Sequence, residues 1–127
     1  MTQRLVHLVD DDDAMRRSLA RLLELSGYAV KSYASGTELL DAAHELGGGC
    51  VLIDLNMPGL DGIAVCKALN DRSIDVPVIL MTGSCDLATL SSEANVAGVI
   101  QKPFLRAELM SLLDELAIAS QTDAKSS

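Results

Sequence analysis

The chain has 127 residues, 49% of them hydrophobic, with a formal net charge of -8. That length suits one domain with a core of its own, and the hydrophobic share excludes a disordered chain. The acidic balance argues against direct contact with nucleic acid or an anionic membrane, since phosphate binding needs a local surplus of Lys and Arg; aromatics at 2% leave little to stack on exposed bases.

Short apolar runs alternate with longer amphipathic ones, the pattern of successive strand-helix units around a mostly parallel sheet. The first strand is "RLVHLV" near 4–9, followed by the acids Asp10 to Asp13. Asp12 or Asp13 suits the cap of a helix whose apolar stripe is Met15, Leu19, Leu22 and Leu23, and Gly27 closes it. "YAVKSY" near 28–33 alternates, as an edge strand with one wetter face does. The second helix carries Leu39, Leu40, Ala43 and Leu46 and is closed by the glycines at 47–49. "CVLID" near 50–54 and "VPVILM" near 76–81 are almost continuously apolar, so with the first strand they belong in the middle of the sheet.

Between those two strands, Pro58, Gly59 and Gly62 make a tight connection, and Asp61 caps the helix that begins "GIAVCKALN". "AGVIQ" near 97–101 is the fifth strand, and Leu105, Leu109, Leu112, Leu113 and Leu116 give the last helix its stripe. All these Leu and Met stripes read as core. The final "SQTDAKSS" lacks periodicity and reads as a polar tail or the start of a linker over 120–127. Cys50, Cys66 and Cys85 form an odd count without CxxC spacing, as reduced thiols of a cytosolic protein do. No charged-then-apolar leader opens the sequence and no apolar run approaches a bilayer's width, so the expected location is cytoplasmic.

Open α/β sheets bind ligands outside the carboxyl ends of their strands. Here the first strand ends in Asp10 and Asp11, the third in Asp54, the fourth in Thr82, and the fifth runs into Lys102 and Pro103. Asp12 and Asp13 are best read as helix-capping acids. Asp10 and Asp11 taken alone are as easily caps as ligands, but Asp54 at a neighbouring strand end deepens the repulsion. Like charges about 4 Å apart repel by roughly 4 kcal/mol at an effective dielectric of 20. A hard dication compensates, and Mg2+ commonly takes one or two carboxylates together with water and a phosphate oxygen.

The motifs "VDDD", "DLNMPGLDG", "LMTG" and "QKPF", in that order from about residue 4 to about 119, resemble the receiver domain of two-component response regulators, the CheY-like family, of the FixJ type. The resemblance implies a flavodoxin-like, doubly wound five-stranded parallel sheet of order 2-1-3-4-5 with helices on both faces, over residues 1–119. It implies that Asp54 is the phosphoacceptor, a carboxylate nucleophile. Asp10, Asp11, Asp54 and the backbone carbonyl of Asn56 would hold Mg2+, Thr82 would donate its hydroxyl to a phosphoryl oxygen, and Lys102 would pair with Asp54 or the phosphoryl group. The Lys102-Pro103 bond becomes a candidate for the cis form. Implied partners are a sensor histidine kinase or phosphotransfer protein, and downstream either a protein target or an output domain outside this sequence.

The pattern departs from the family at Val99, where receivers usually carry an aromatic residue, and in a short segment from Thr82 to Lys102 interrupted by Ser91, Ser92, Asn95 and Gly98. A mobile or rebuilt output surface over 84–97 is expected from this composition. His7 is expected to be a satisfied or partly buried strand residue, His44 a helix-surface residue, and Arg16 and Arg17 a solvated helix face. Two rival functions remain. A receiver fold used only as an unphosphorylated interaction module would keep the architecture without the chemistry. A haloacid-dehalogenase-like phosphatase would use Asp10 as nucleophile and Asp12 as general acid, but it leaves "DLNMPGLDG" unexplained and lacks an acidic pair directly after Lys102. A calcium loop starting at Asp10 fails, with Met15 and Arg21 where Gly and Glu belong.

Overall fold

A computed structural model describes residues 4–42, 49–55, 57, 61–74, 76–83 and 96–126, with side chains described as far as residue 116. Five strands, β1 (Arg4–Val9), β2 (Tyr28–Tyr33), β3 (Cys50–Asp54), β4 (Val78–Thr82) and β5 (Gly98–Gln101), form one sheet. Its order is β2-β1-β3-β4-β5, and every neighbouring pair is parallel. The helices are α1 (Asp13–Leu25), α2 (Gly36–Asp41), α3 (Gly62–Asp71) and α4 (Arg106–Ser126). This is the doubly wound α/β architecture expected. The surface expected to be mobile or rebuilt over 84–97 lies, from 84 to 95, outside the described residues.

The apolar runs sort by alternation onto two faces. Val9, Val51, Ile53, Val78 and Leu80 point toward Leu39 and Leu40 of α2 and Val65, Cys66 and Leu69 of α3. Val6, Leu8, Leu52, Ile79 and Met81 point the other way, onto Leu19 and Leu23 of α1 and Leu109 and Leu113 of α4. Every residue of β3 and β4 is buried, as strands covered on both faces require. Each fully buried Leu, Ile or Val contributes about 1.5–3 kcal/mol, so the three central strands hold the sheet's carboxyl ends firmly in place. β2 lies at the edge, with Lys31 and Ser32 exposed. Val99 is half-buried against the α3 face, a packed side chain of the core margin.

Local signals place the helix ends. Asp12 caps α1 by accepting from the Met15 N–H at 3.1 Å, and Asp61 caps α3 by accepting from Ala64 at 2.9 Å. Ser35 does the same for α2, accepting from Glu38 at 3.1 Å. Two members of the expected stripes differ. Met15 is 39% exposed in the first turn of α1, and Leu105 is 70% exposed because it precedes α4, where its carbonyl accepts from Glu108 and Leu109. Ala43 and Leu46 lie outside the described residues. α4 continues to Ser126, beyond the start of the expected tail at 120: no Gly or Pro interrupts it, and its Ala, Gln and Lys are tolerant of helix. No helix among the described residues is long and apolar enough to cross a membrane.

The glycines at 47 and 48 are outside the described residues, but Gly49 has a role other than closing α2. Its φ is +80°, and a Cβ there would stand 2.1 Å from the carbonyl oxygen of Leu5. It lets the entry to β3 pass against β1. Gly27, at φ +98°, has open space where a Cβ would go. The two therefore separate backbone strain from collision: Gly27→Ala should cost about 1 kcal/mol, and Gly49→Ala roughly 3 kcal/mol or more, because a backbone atom must also move. Urea unfolding of both variants checks this, and equal losses would show that the Leu5 contact is immaterial.

Candidate phosphoacceptor and cation site

Four adjacent parallel strands in the order β1-β3-β4-β5 bring their carboxyl ends to one rim. In register, Val9 faces Ile53, Asp54 faces Met81, and Thr82 faces Gln101. Asp10 follows β1 and is fully buried, Asp11 beside it is exposed, and Asp54 ends β3 almost wholly buried. One carboxylate oxygen from each of these three lies within 4.8 Å of the others. Thr82, buried, ends β4 on the same rim. Its backbone carbonyl accepts from the Lys102 N–H at 2.7 Å, so the lysine is anchored to the threonine's strand end. The Lys102 ammonium then reaches Asp54 Oδ2 at 3.0 Å and Asp10 Oδ2 at 3.8 Å. The Lys102-Pro103 bond is cis.

Asp10, Asp11, Asp54, Thr82 and Lys102 are thus collected at one edge of the sheet, as their positions in the sequence predicted. Asn56, the remaining candidate ligand, lies outside the described residues, as do Pro58, Gly59, His44 and Cys85. Gly62 holds α3 tight behind the site: a Cβ there would meet Leu80 at 2.9 Å and the Asp54 carbonyl at 3.2 Å. Cys50 and Cys66 are both buried, and burial pushes the Cys50 thiol up to about 11, so Cys50 behaves as a packed apolar residue. His7 is fully buried in β1, its Nδ1 3.3 Å from the Tyr33 hydroxyl, while the Tyr33 carbonyl accepts from the Asp10 N–H at 3.2 Å. Asp12, which a phosphatase reading needs as a general acid, is occupied in capping α1.

Arg16 is a correction. The expected solvated side chain instead donates from Nη1 to the Asp10 carbonyl at 2.8 Å and pairs with Asp13 through Nη2. The i,i+3 spacing from Asp13 was a usable signal for the ion pair. The contact with Asp10 depends on how α1 leaves β1, which no local pattern encodes. Arg17 is exposed as expected.

Comparison with known proteins agrees with this fold. Residues 6–114 match the family described as the response regulator receiver domain. The transcriptional regulatory protein FixJ of Azorhizobium caulinodans is 46% identical over 78% of this chain and 48% of its own length. The transcriptional regulatory protein PrrA of Mycobacterium tuberculosis is 36% identical across this chain and 55% of its own. The chain spans about half the length of these relatives. Among solved structures, full-length FixJ from B. japonicum superimposes with a TM-score of 0.88 at 33% identity, covering 99% of this chain and 63% of that one. The FixJ-N structure gives 0.82 at 31% identity, covering 90% and 93%.

The charge balance decides what the rim can accept. Three carboxylates face one ammonium, and Asp10 Oδ2 is buried with no hydrogen-bond partner among the described residues. Burial raises the Asp10 pKa above the ordinary 3.8, and the neighbouring Asp54 and Asp11 charges push it the same way against the Asp12 N–H and Lys102. All the donors are hard oxygens, so the set fits a small dication. With no added metal, ionised Asp10 is a liability to the fold: its contribution is most favourable at low pH and declines as pH rises from the ordinary carboxylate range through the raised folded value. Asp10→Asn is therefore expected to stabilise the metal-free protein at pH 7 by on the order of 1 kcal/mol, with a smaller advantage at pH 4.5. Urea unfolding in EDTA at both pH values measures it, and a destabilised variant at pH 7 would contradict the charge argument.

Proposed function

The chain belongs to the response regulator receiver domain family of two-component systems, and we propose that it acts there as a phosphoacceptor, with Asp54 taking a phosphoryl group from a phosphohistidine on a partner kinase or phosphotransfer protein. An Asp54 carboxylate oxygen attacks phosphorus, the bond from phosphorus to the imidazole nitrogen breaks, and the imidazole leaves with the bonding pair. The product is an acyl phosphate on Asp54; attack of water on phosphorus later breaks the bond to the carboxylate oxygen, restores the carboxylate and releases inorganic phosphate. This chemistry is self-catalysed group transfer within a signalling protein rather than turnover of a free substrate.

The observation that carries this reading is the Lys102 ammonium 3.0 Å from an Asp54 carboxylate that shares an oxygen cluster with Asp10 and Asp11. Phosphoryl transfer depends chiefly on positioning and on neutralising charge at the equatorial oxygens. Lys102 supplies one such charge on an arm fixed to the Thr82 strand end, and the Thr82 hydroxyl supplies a donor. Asp10, Asp11 and Asp54, with the carbonyl of Asn56, would hold Mg2+, which when bound offsets carboxylate repulsion and phosphoryl charge.

Residues 1–119 constitute the receiver in this reading, and 120–127 lead toward a linker. Signalling proceeds through protein contacts, either with a separate target or with an output domain beyond this sequence. The relatives' names as transcriptional regulators favour a DNA-binding output, while the receiver itself contacts neither nucleic acid nor membrane. The setting is cytoplasmic.

Intact-mass measurement after incubation with Mg2+ and acetyl phosphate tests the reading. The native chain should gain one phosphoryl group, Asp54→Ala none, and EDTA should abolish the gain. Lys102→Ala should slow it by about 100-fold, the scale seen when a charge-stabilising donor is removed. Equal phosphorylation of the native chain and Asp54→Ala would sink the assignment.

A further inference from the structure

Arg16 stands in the first turns of α1 with its side chain only 17% exposed, against 73% for Asp13. Its two guanidinium nitrogens serve different elements: Nη1 holds the backbone carbonyl of Asp10, just past β1, and Nη2 holds the Asp13 carboxylate at the start of α1. The fork spans the short connection that carries two of the three clustered carboxylates. Within that connection the Asp12 N–H also donates to Asp10 Oδ1 at 3.0 Å, leaving Oδ2 as the oxygen without a hydrogen bond among the described residues.

We infer that Arg16 is a positioning residue for the cation site: it braces the Asp10-Asp11 backbone and keeps the Asp13 carboxylate out of the oxygen cluster. The inference rests on the proposed reading that this cluster takes Mg2+. Two effects of opposite sign compete. As a positive charge near a dication, Arg16 repels it, so removing the charge should tighten binding. As a brace, it fixes ligand positions, and its loss should weaken binding. Asp13 matches the guanidinium charge at contact distance, so the pair exerts little net field on the cluster and bracing prevails. Mg2+ is sensitive to such bracing because it demands near-ideal octahedral geometry. A planar guanidinium can hold two acceptors at once in a fixed fork; a lysine ammonium is a point charge on a flexible stem.

The double variant Arg16→Ala, Asp13→Ala removes the brace without changing net charge. Calorimetric titration of the full chain with MgCl2 at constant ionic strength should show the Mg2+ Kd raised about tenfold, the lower range for residues that orient metal ligands. Arg16→Lys should raise it by a smaller factor. Thermal unfolding in EDTA reads the structural role separately: lost stability with an unchanged Kd, or a tighter Kd, overturns the inference. If the double variant does not fold, Arg16→Lys decides alone, and a native Kd in it overturns the inference. Absence of Mg2+ binding by the native chain defeats the parent reading, whereas native binding that the variants reproduce defeats only the role of Arg16.

Discussion

Carboxylate crowding at the end of a rigid sheet is the constraint around which the molecule is organised. Asp10 and Asp54 are nearly removed from water, Asp11 sits beside them, and one lysine ammonium reaches the first two. At contact distances each like-charge pair costs a few kcal/mol, comparable to burying one or two large aliphatic side chains. A flexible loop would relax by swinging the acids apart. These cannot, because two of them extend strands packed on both faces by Leu, Ile and Val. The apolar core offsets a local electrostatic cost and keeps three carboxylate oxygens together where a cation could be held.

The strands were legible because continuous apolar runs in an α/β pattern leave little choice: β1, β2 and β3 have the residue limits the sequence suggested, and β4 and β5 differ only at their ends. Which strands are central followed from composition too, since Lys31 and Ser32 in β2 are tolerable only at an edge. The residues at strand ends inherited that clarity. Asp10, Asp54 and Thr82 are each fixed by a strand whose direction is set by parallel pairing, so their convergence needed no side-chain reasoning.

What escaped the sequence depended on contacts between elements. Leu105 continues a helical stripe in register, yet the helix begins one residue later and leaves it in water. Gly49 looks like a helix terminator, and its actual reason is the Leu5 carbonyl in a different strand. Val99 could be recognised as unusual for the family, but its packing against the α3 face follows from its register opposite Leu80. A β-branched side chain held there has few rotamers to exchange, so it is a firm part of the core margin on that face.

The run Asp10-Asp11-Asp12-Asp13 shows how far identical residues diverge once the backbone turns. Asp10 is buried, takes the Asp12 N–H on one oxygen and is pushed toward its neutral form. Asp11 is exposed yet contributes an oxygen to the cluster, Asp12 caps a helix, and Asp13 is held by Arg16. Each turn of φ and ψ along the connection changes which neighbour a carboxylate meets: an amide, a guanidinium, water, or another carboxylate. Two of the four acids are thereby satisfied within the chain, and repulsion is concentrated on the two nearest Asp54. A run of like charges that is costly as a whole becomes a site because the fold distributes its compensation unevenly.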